Sequence, residues 1–484
     1  MSLPSTVGLP AEMMLGSLDH SLPSDAKSFS VKVQPTNLSS IVSSTYTATA
    51  SQVLDLQFPS QNIIFDLPCS QSPSTFLDTR FSTLNFRCTI NCVGTGSSSI
   101  VTTGYLRSNA NSFFDRMYTV GQSGNILEDI AEYGLVNDTL INLQMNNSVR
   151  DGVASQYGFL SGTGVDSQGH SIAMFTANTL VAGQIESHAY SVPLLSATVG
   201  CLSDKFINLG RTSRMQVVLQ TSSVLPMSIL TGSATTAGTF TVTLSDFSLG
   251  LEYVDIGLSA LQLLDQTLVD GKAYCHGTTY RTASANIPAS SGSGSALIGI
   301  RASSVKSLFS RFVDGGALST TNSSNGKYDS KCIGFNNINF SIGGIKFPQT
   351  PVPALLSPSQ CFRETQMAIG SFNNSQFQSC ITPANYCKLS AGLTAQSLSV
   401  GGTQEYSWNL GSTPAAQAQF IFGVNTEIVA RRGLLSGYNA TSAPVFLEYS
   451  IATAPTNAHT LYGIAMIDQI LIHDTKTGDI QVRI

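Results

Sequence analysis

Hydrophobic and polar positions alternate with a period of two along most of this chain. In RFSTLNFRCTINCV (80–93), Leu84, Phe86, Cys88 and Ile90 fall on one side. FTVTL (240–244) puts Phe240, Val242 and Leu244 on one face, and FSLGLEY (247–253) continues with Phe247, Leu249, Leu251 and Tyr253. The phase slips by one residue at Asp246, as a bulge or a sheet-to-sheet bend requires. Clusters of Gly and Ser such as GTGSSS (94–99), SGTG (161–164) and SSGSGS (290–295) separate such runs. Many short strands with turn chemistry between them predict an all-β protein of sandwiches or barrels.

Helical spacing is confined to a few places. GLSALQLLDQTLVDG (257–271) sets Leu258, Leu261, Leu264 and Leu268 near one face and stops at Gly271, which predicts a connector helix near mid-chain. SSVKSLFSRFVDGG (303–316) reads as a short amphipathic helix, with Ser303 or Ser304 as cap, Val305, Leu308, Phe309 and Phe312 on one face, and Gly315–Gly316 as the stop. NANSFFDRMYTV reads the same way, capped by Asn109 or Asn111, with Phe113, Phe114 and Met117 sharing a face. The two helices would carry matching phrases, SFFDRM (112–117) and SLFSRF (307–312). Phe114 and Phe309 are then expected as core plugs, and Arg116 and Arg311 as tethers to a carboxylate or carbonyl. Two further echoes follow in the same order. GCLSDKFINLGRTSRMQVVLQ (200–220) matches RGLLSGYNATSAPVFLEYS (432–450), and TLSDFSLGLEY (243–253) matches AMIDQILIHD (465–474). Three ordered matches predict a diverged tandem duplication.

Length supports this, since 484 residues exceed one ordinary core and suit two domains of roughly 200 residues. The expected division is an arm at 1–45, a first β-rich domain at 46–256, the connector at 257–271 and a second domain with longer loops at 272–484. Only 11% of residues are charged, where soluble domains usually carry about 25%. A polar but weakly charged surface suits burial against other subunits. Net charge is −5, and the first sixty residues hold only two basic side chains, Lys27 and Lys32. Direct nucleic-acid binding is therefore not expected. The N-terminal stretch lacks the pattern of a signal peptide, and no run approaches 18 uninterrupted apolar residues. Nine cysteines, an odd number without a CxxC pair, read as small buried hydrophobes of a reducing compartment. Seven N-x-S/T sequons (Asn37, Asn137, Asn146, Asn322, Asn339, Asn373, Asn439) are what so Ser/Thr-rich a chain produces by chance.

Candidate chemistry is thin. TVGQSGN (119–125) has no following Lys-Ser/Thr and reads as a tight turn rather than a phosphate loop. Asp166, Ser167 and His170 share one glycine-rich segment, but a hydrolytic triad assembles from separated elements and no G-x-S-x-G elbow exists. EYGLVND (132–138) and HDTKTGD (473–479) supply carboxylates in turn-like contexts. The six histidines are scattered, and Cys275–His276 are adjacent rather than spaced as ligands. No catalytic, metal or cofactor site is expected. The sole tryptophan, Trp408, is where a sugar-binding reading would begin.

SNANSFFDRMYTVGQSGNILEDIAEYGLVNDTL (108–140), INFSIGGIKFPQTPV (338–352) and LYGIAMIDQILIHDTKTGDIQVRI (461–484) resemble segments of the double jelly-roll major capsid proteins of double-stranded DNA viruses. The wording is nearest to those of virophages, polinton-like viruses and their nucleocytoplasmic relatives. The first segment is similar to a helix followed by a strand, a tight Gly turn and a second short helix. The resemblance implies two tandem eight-stranded jelly-roll β-sandwiches and a homotrimer of pseudo-hexagonal outline. It also implies neighbouring trimers tiling an icosahedral virion shell, with penton and minor capsid proteins as partners and no enzymatic role. It further implies that the longer loops of the second half form towers or clasps, and that the N-terminal arm reaches under a neighbour. The competing readings are a two-sandwich carbohydrate-binding spike or adhesin and a β-sandwich hydrolase.

Overall fold

The computed structural model describes residues 26–37, 42–48, 56–69, 72–93, 99–106, 108–158, 174–175, 180–202, 205–231, 238–268, 270–315, 327–328, 330–370, 379–381, 386, 399–400, 403–404, 419–428 and 435–483. The structure is built from antiparallel sheets with few short helices. In the first half the strands of the two main sheets are β1 (Lys27–Val33), β2 (Val42–Ala48), β3 (Asn62–Asp66), β4 (Thr75–Val93), β5 (Phe114–Val120), β6 (Ile126–Ala131), β7 (Ile185–Pro193), β8 (Gln216–Thr221) and β9 (Gly238–Asp255), and a smaller sheet pairs Ser99–Leu106 with Met227–Thr231, Met174–Phe175 and Leu180–Val181. One sheet runs β1-β9-β4-β7, with β2 pairing the other end of β9, and its partner runs β3-β8-β5-β6. The second half contributes β10 (Lys272–Ile287), β11 (Ser293–Ile298), β12 (Val305–Asp314), β13 (Phe335–Ile342), β14 (Ile345–Val352), β15 (Phe422–Asn425), β16 (Val445–Ile451), β17 (His459–Asp474) and β18 (Asp479–Arg483). Its sheets run β10-β17-β12-β15 and β11-β16-β13-β14, with β18 paired to the end of β17. Counting β1 and β2 as one interrupted strand, each half places strands 1-8-3-6 in one sheet and 2-7-4-5 in the other.

The period-two runs fold as their pattern dictates. Leu84, Phe86, Cys88, Ile90 and Cys92 of β4 all face the core. The phase slip in β9 is a bulge. Asp246 adopts φ 57°, and the register with β4 shifts between Ser245 and Ser248. Both faces of the slip therefore bury their apolar set, Phe240, Val242 and Leu244 before it and Phe247, Leu249 and Leu251 after it. INFSIGGIKFPQTPV is the expected strand-turn-strand, β13 and β14 joined through Gly343 and Gly344, both at positive φ. β1 and the start of β2 lie inside the segment expected to be an arm, yet both pair with β9; residues 1–25 lie outside the described residues.

The helices differ more from expectation. The connector is present as α2 (Gly257–Thr267), but only Leu261 is fully buried and Leu258 is exposed, so its apolar face is narrower than the leucine spacing implied. Residues 303–315 are not a helix. They hold the central strand β12, and Ser304, expected as a cap, instead donates to Asp468. Nearly every residue of β12 is buried on both faces. A strand buried on both sides is apolar without alternation, and Val305, Leu308, Phe309 and Phe312 then mimic helical spacing. SFFDRM is likewise mostly strand. A single 3₁₀ turn, Ala110–Phe113, is capped by the Asn109 side chain, and β5 begins at Phe114. Unpredicted from the residues themselves were α1 (Tyr133–Gln144), the short helices Asn147–Gly152 and Ala154–Tyr157 that follow it, and α3 (Pro358–Ile369). α1 begins inside EYGLVND, read above as a turn, and every residue from Tyr133 to Leu143 is buried. Its polar residues, Asn137, Asp138, Thr139 and Asn142, are buried with the rest, so it has no wet stripe to set against an apolar one.

The two units point the same way. Lys27 pairs with Asp255 and Lys272 with Asp474, so β1, α2 and the β17–β18 turn share one end of the chain. At the opposite end Val93 pairs with Thr239 and Asp314 with His459. Buried apolar residues of both units form one continuous core cluster.

Candidate functional site: the seam between units and its uncovered counterparts

The polar groups that bear most on function lie where the units meet. Glu128 of β6 is almost fully buried and accepts from the Ala197 and Thr198 backbone, the Ser196 hydroxyl and, across the seam, Thr279 Oγ1 of β10 at 2.6 Å. Thr282 donates to the Ala131 carbonyl at 2.9 Å, and Gln469 of β17 donates to the Leu127 carbonyl at 2.8 Å. β6 is a sheet edge, and these side chains take the place of a strand beside it.

Above them, Arg311 of β12 has no exposed surface. Its guanidinium reaches Asp138 and Thr139 of α1, and it donates to the Tyr328 carbonyl at 2.6 Å. Lys327 bridges Asp115, at 2.9 Å, and Glu132 of the first unit. Burial works against its ammonium, but the neighbouring Tyr328, Glu132 and Asp115 outweigh it and push the pKa up. The last turn of α1 is held by Asn142, whose carbonyl accepts from Ser379 Oγ and the Cys380 backbone, and whose side chain accepts from Gln419. α1 is buried all round because the second unit covers the face its own unit leaves open.

Besides Arg311, the apolar and basic residues singled out in the two echo phrases are placed as follows. Phe113 and Phe114 pack edge-on against Phe86, with centroids at 5.8 and 5.3 Å, and Met117 is buried beside them in the first core. Arg116 forms a fork with Asp129 at 2.7–2.8 Å across the β5–β6 hairpin, half exposed. Leu308 and Phe312 lie in the second core, where Phe312 meets Phe335 at 4.8 Å. Phe309 lies against Gly423 of β15, where a Cβ would stand 2.6 Å from its ring. SFFDRM opens the fourth strand of its unit while SLFSRF lies on the third strand of the other, so the phrases occupy non-equivalent positions. The other two echoes do fall on equivalent strands, the seventh (β8 and β16) and the eighth (β9 and β17). Glu128, Asp138 and Gln469 were missed, because a carboxylate or amide in a short apolar context carries no local signal of a partner more than 150 residues away.

The other candidate residues do not converge. TVGQSGN closes the β5–β6 hairpin through a Gly121–Asn125 hydrogen bond of 3.0 Å. HDTKTGD closes β17–β18, with Asp474 accepting from the Lys476 and Thr477 backbone. His188, His276, His459 and His473 meet Glu186, Asp468, the Asn457 carbonyl and Thr212 in four separate places. Among the described residues no group of three His, Cys, Asp or Glu could hold a metal ion, and no helix is long and apolar enough to cross a membrane. Asp166, Ser167, His170 and Trp408 lie outside the described residues.

No protein-family model and no curated protein matches the sequence. Solved structures do match. The Sputnik virophage structure superposes with a TM-score of 0.52 at 11% identity, covering 91% of this chain and 88% of that one. The mavirus major capsid protein superposes with a TM-score of 0.51 at 10% identity, covering 100% and 95%. These superpositions span both units, and each unit carries the 1-8-3-6 and 2-7-4-5 strand order of a jelly roll. The chain is a double jelly roll. In this double jelly roll, the edge strand β6 of the first roll is covered by β10 and β17 of the second. The corresponding edge of the second roll, β14, is largely exposed. The outer face of the first roll's β2-β9-β4-β7 sheet is partly exposed too, and there hydroxyls pair across strands, Thr45 with Thr241, Thr243 with Ser43 and Thr89 with Ser187.

Proposed function

We propose that this chain is the major capsid protein of an icosahedral double-stranded DNA virus, acting structurally rather than as an enzyme. Three copies form a capsomer of hexagonal outline, and capsomers tile the virion shell with penton and minor proteins as partners. The chain divides into two jelly rolls at the connector 257–271. The observation that carries the reading is that the seam inside the chain leaves one copy of each of its two surfaces unused. The second roll offers an uncovered β14 edge, and the first offers an uncovered outer sheet. A second chain can repeat the internal contact head to tail, and six jelly rolls from three chains close a ring. The outer sheet is nearly free of net charge, since Arg87 there is paired with Asp246 at 3.1 Å, as suits a face buried in an assembly.

Light scattering with negative-stain imaging of the purified chain tests this. The expected particle has three times the 51.2 kDa of the chain and a threefold, hexagonal outline. A stable monomer that binds glycans at micromolar strength would sink the proposal in favour of a carbohydrate-binding protein.

A further inference from the structure

The ammonium of Lys327, from the second unit, touches Oδ1 of Asp115 at 2.9 Å and also the Glu132 carboxylate, both from the first unit. One amine held between two carboxylates is the minimum set for a self-made amide, with one acid to be attacked and a second to carry protons. Lys306 faces two carboxylates as well, Glu427 at 3.2 Å and Asp468 at 3.7 Å, but Asp468 is also held by His276 and Ser304. Asp115 has a different neighbour. The Ser223 backbone N–H donates to its Oδ2 at 3.2 Å, where negative charge gathers when an amine attacks the carboxyl carbon.

The fold fixes each group. Asp115 follows Phe114, whose ring is buried in the first core. Glu132 joins β6 to α1 with φ 53°, a left-handed conformation rare for a residue with a side chain. Lys327 precedes Tyr328, whose carbonyl accepts from Arg311 and whose hydroxyl donates to the Ser112 carbonyl at 3.3 Å. The side chains of Lys327, Asp115 and Glu132 are 25%, 28% and 31% exposed, so they are mostly withdrawn from water yet leave a released molecule a way out. Well-oriented neighbours react at effective molarities of about 10⁵–10⁸ M, far above the molarity of the water that would hydrolyse the product.

We propose that Lys327 and Asp115 condense to an isopeptide bond that joins the two units covalently, with Glu132 carrying the protons. Glu132 takes a proton from the ammonium and passes it to Oδ1, and the freed Nζ lone pair attacks Cγ of Asp115. Oδ2 holds the charge of the tetrahedral adduct against the Ser223 N–H and becomes the amide oxygen. Nζ gives up a second proton, which reaches Oδ1 by the same route, and the Cγ–Oδ1 bond breaks to release water. One ammonium and one carboxylate thus become one neutral amide and one water. Glu132 ends as it began, and nothing is oxidised or reduced. The two carboxylates favour the charged amine at rest, so the step is slow, but it need occur only once in each chain.

Mass spectrometry of the full chain, purified and aged for days, tests this. The expected mass lies below that of the linear chain by one water. Trypsin should then yield peptide 108–116 branched to peptide 312–331, because an acylated Lys327 no longer directs cleavage. A chain at full mass, cleaved normally after Lys327, holds an ion bridge only and overturns the proposal. So does a branch to peptide 117–150, which places the link on Glu132. Lys327→Arg keeps a cation at the site but should stay at full mass. It should also migrate more slowly than the wild type in a denaturing gel, since its chain is not closed into a loop, and equal mobility contradicts the link. Glu132→Gln keeps the side chain's shape and should slow bond formation by about 10²–10⁴-fold with an unchanged circular dichroism spectrum; a rate equal to the wild type refutes the proton-carrying role. The bond lies within one chain and is read on unassembled protein, so its outcome is separate from that of trimer formation.

Discussion

The Arg311–Asp138 pair separates a seam held by electrostatic attraction from one held by shape. Arg311 is fully buried, and the Asp138 side chain is only 8% exposed. At an effective dielectric near 20, two charges about 4 Å apart attract by about 4 kcal/mol, an attraction offset by the cost of bringing both out of water. Asp138→Ala removes the attraction but leaves the cation dehydrated, so it should cost about 3–4 kcal/mol, slightly cushioned by the bonds from Arg311 to Thr139 and the Tyr328 carbonyl. Arg311→Met, which strands the carboxylate, should cost a similar amount. Replacing both, as Arg311→Met with Asp138→Leu, leaves no buried charge and should fall within about 1 kcal/mol of the wild type. Urea unfolding followed by circular dichroism gives the three midpoints, and unchanged slopes license the comparison. The double-mutant cycle then yields the coupling. If Asp138→Ala costs under about 1 kcal/mol, or the double variant is as damaged as the two singles added, the pair is not buried between the units as described.

Phe114→Ala and Phe309→Ala should each lower stability by about 3–5 kcal/mol in the same assay, because both rings are buried and truncation leaves a cavity; a loss under about 1 kcal/mol at either site refutes its core position. His459 and His473 are held below the usual imidazole range, first by burial and for His473 also by Arg211. The unfolded chain therefore takes up protons below about pH 6.5 that the folded chain refuses. Stability is full above that pH and falls on acidification, so the melting temperature at pH 5.5 should lie below that at pH 7.5, and His473→Gln should flatten the difference. Equal melting temperatures at both pH values contradict the burial. Burial pushes the Cys88 and Cys361 thiols far above their usual range, and those of Cys69 and Cys92 up to about 11. None of the four should react with iodoacetamide at pH 7.5 until the chain is unfolded, and rapid labelling of Cys88 in the folded chain would contradict the first core.

Legibility followed local physics. Where one face of a strand is wet, as along β4, alternation states both the strand and its inner face. The slip at Asp246 was readable because a bulge leaves its mark within three residues. The failures at β12 and α1 come from burial on two sides, whereas α3 has one buried face, Pro358, Cys361, Thr365 and Ala368, between a Pro start and the Gly370 stop, a pattern that went unread. β12 lost its alternation because α1 and α3 cover its outer face, with Arg311 reaching Asp138 and Ser307 reaching the Ala368 carbonyl. α1 lost its stripe for the reciprocal reason. Sequence pattern reports contrast with water, and neither element has any. Two of the three echoes fall on the seventh and eighth strands of both units, while the phrase that first suggests a duplication, SFFDRM against SLFSRF, pairs two apolar segments from different places in the roll. The seam partners were illegible because Glu128 and Thr279, or Asp138 and Arg311, meet only once both sheets exist.

The shared direction of the two units has an evolutionary consequence. With the connector, β1 and the β17–β18 turn at one end, the strand ends at Val93, Thr239, Asp314 and His459 lie at the other. Lengthening a connection between finished strands leaves every register untouched and costs only loop closure, about 0.6 kcal/mol per doubling. The chain can therefore acquire new surface on one pole almost without limit, as insertions of any origin, while the opposite pole keeps the geometry on which packing depends. Variation and constraint are sorted to opposite ends of one molecule by the direction in which its strands run.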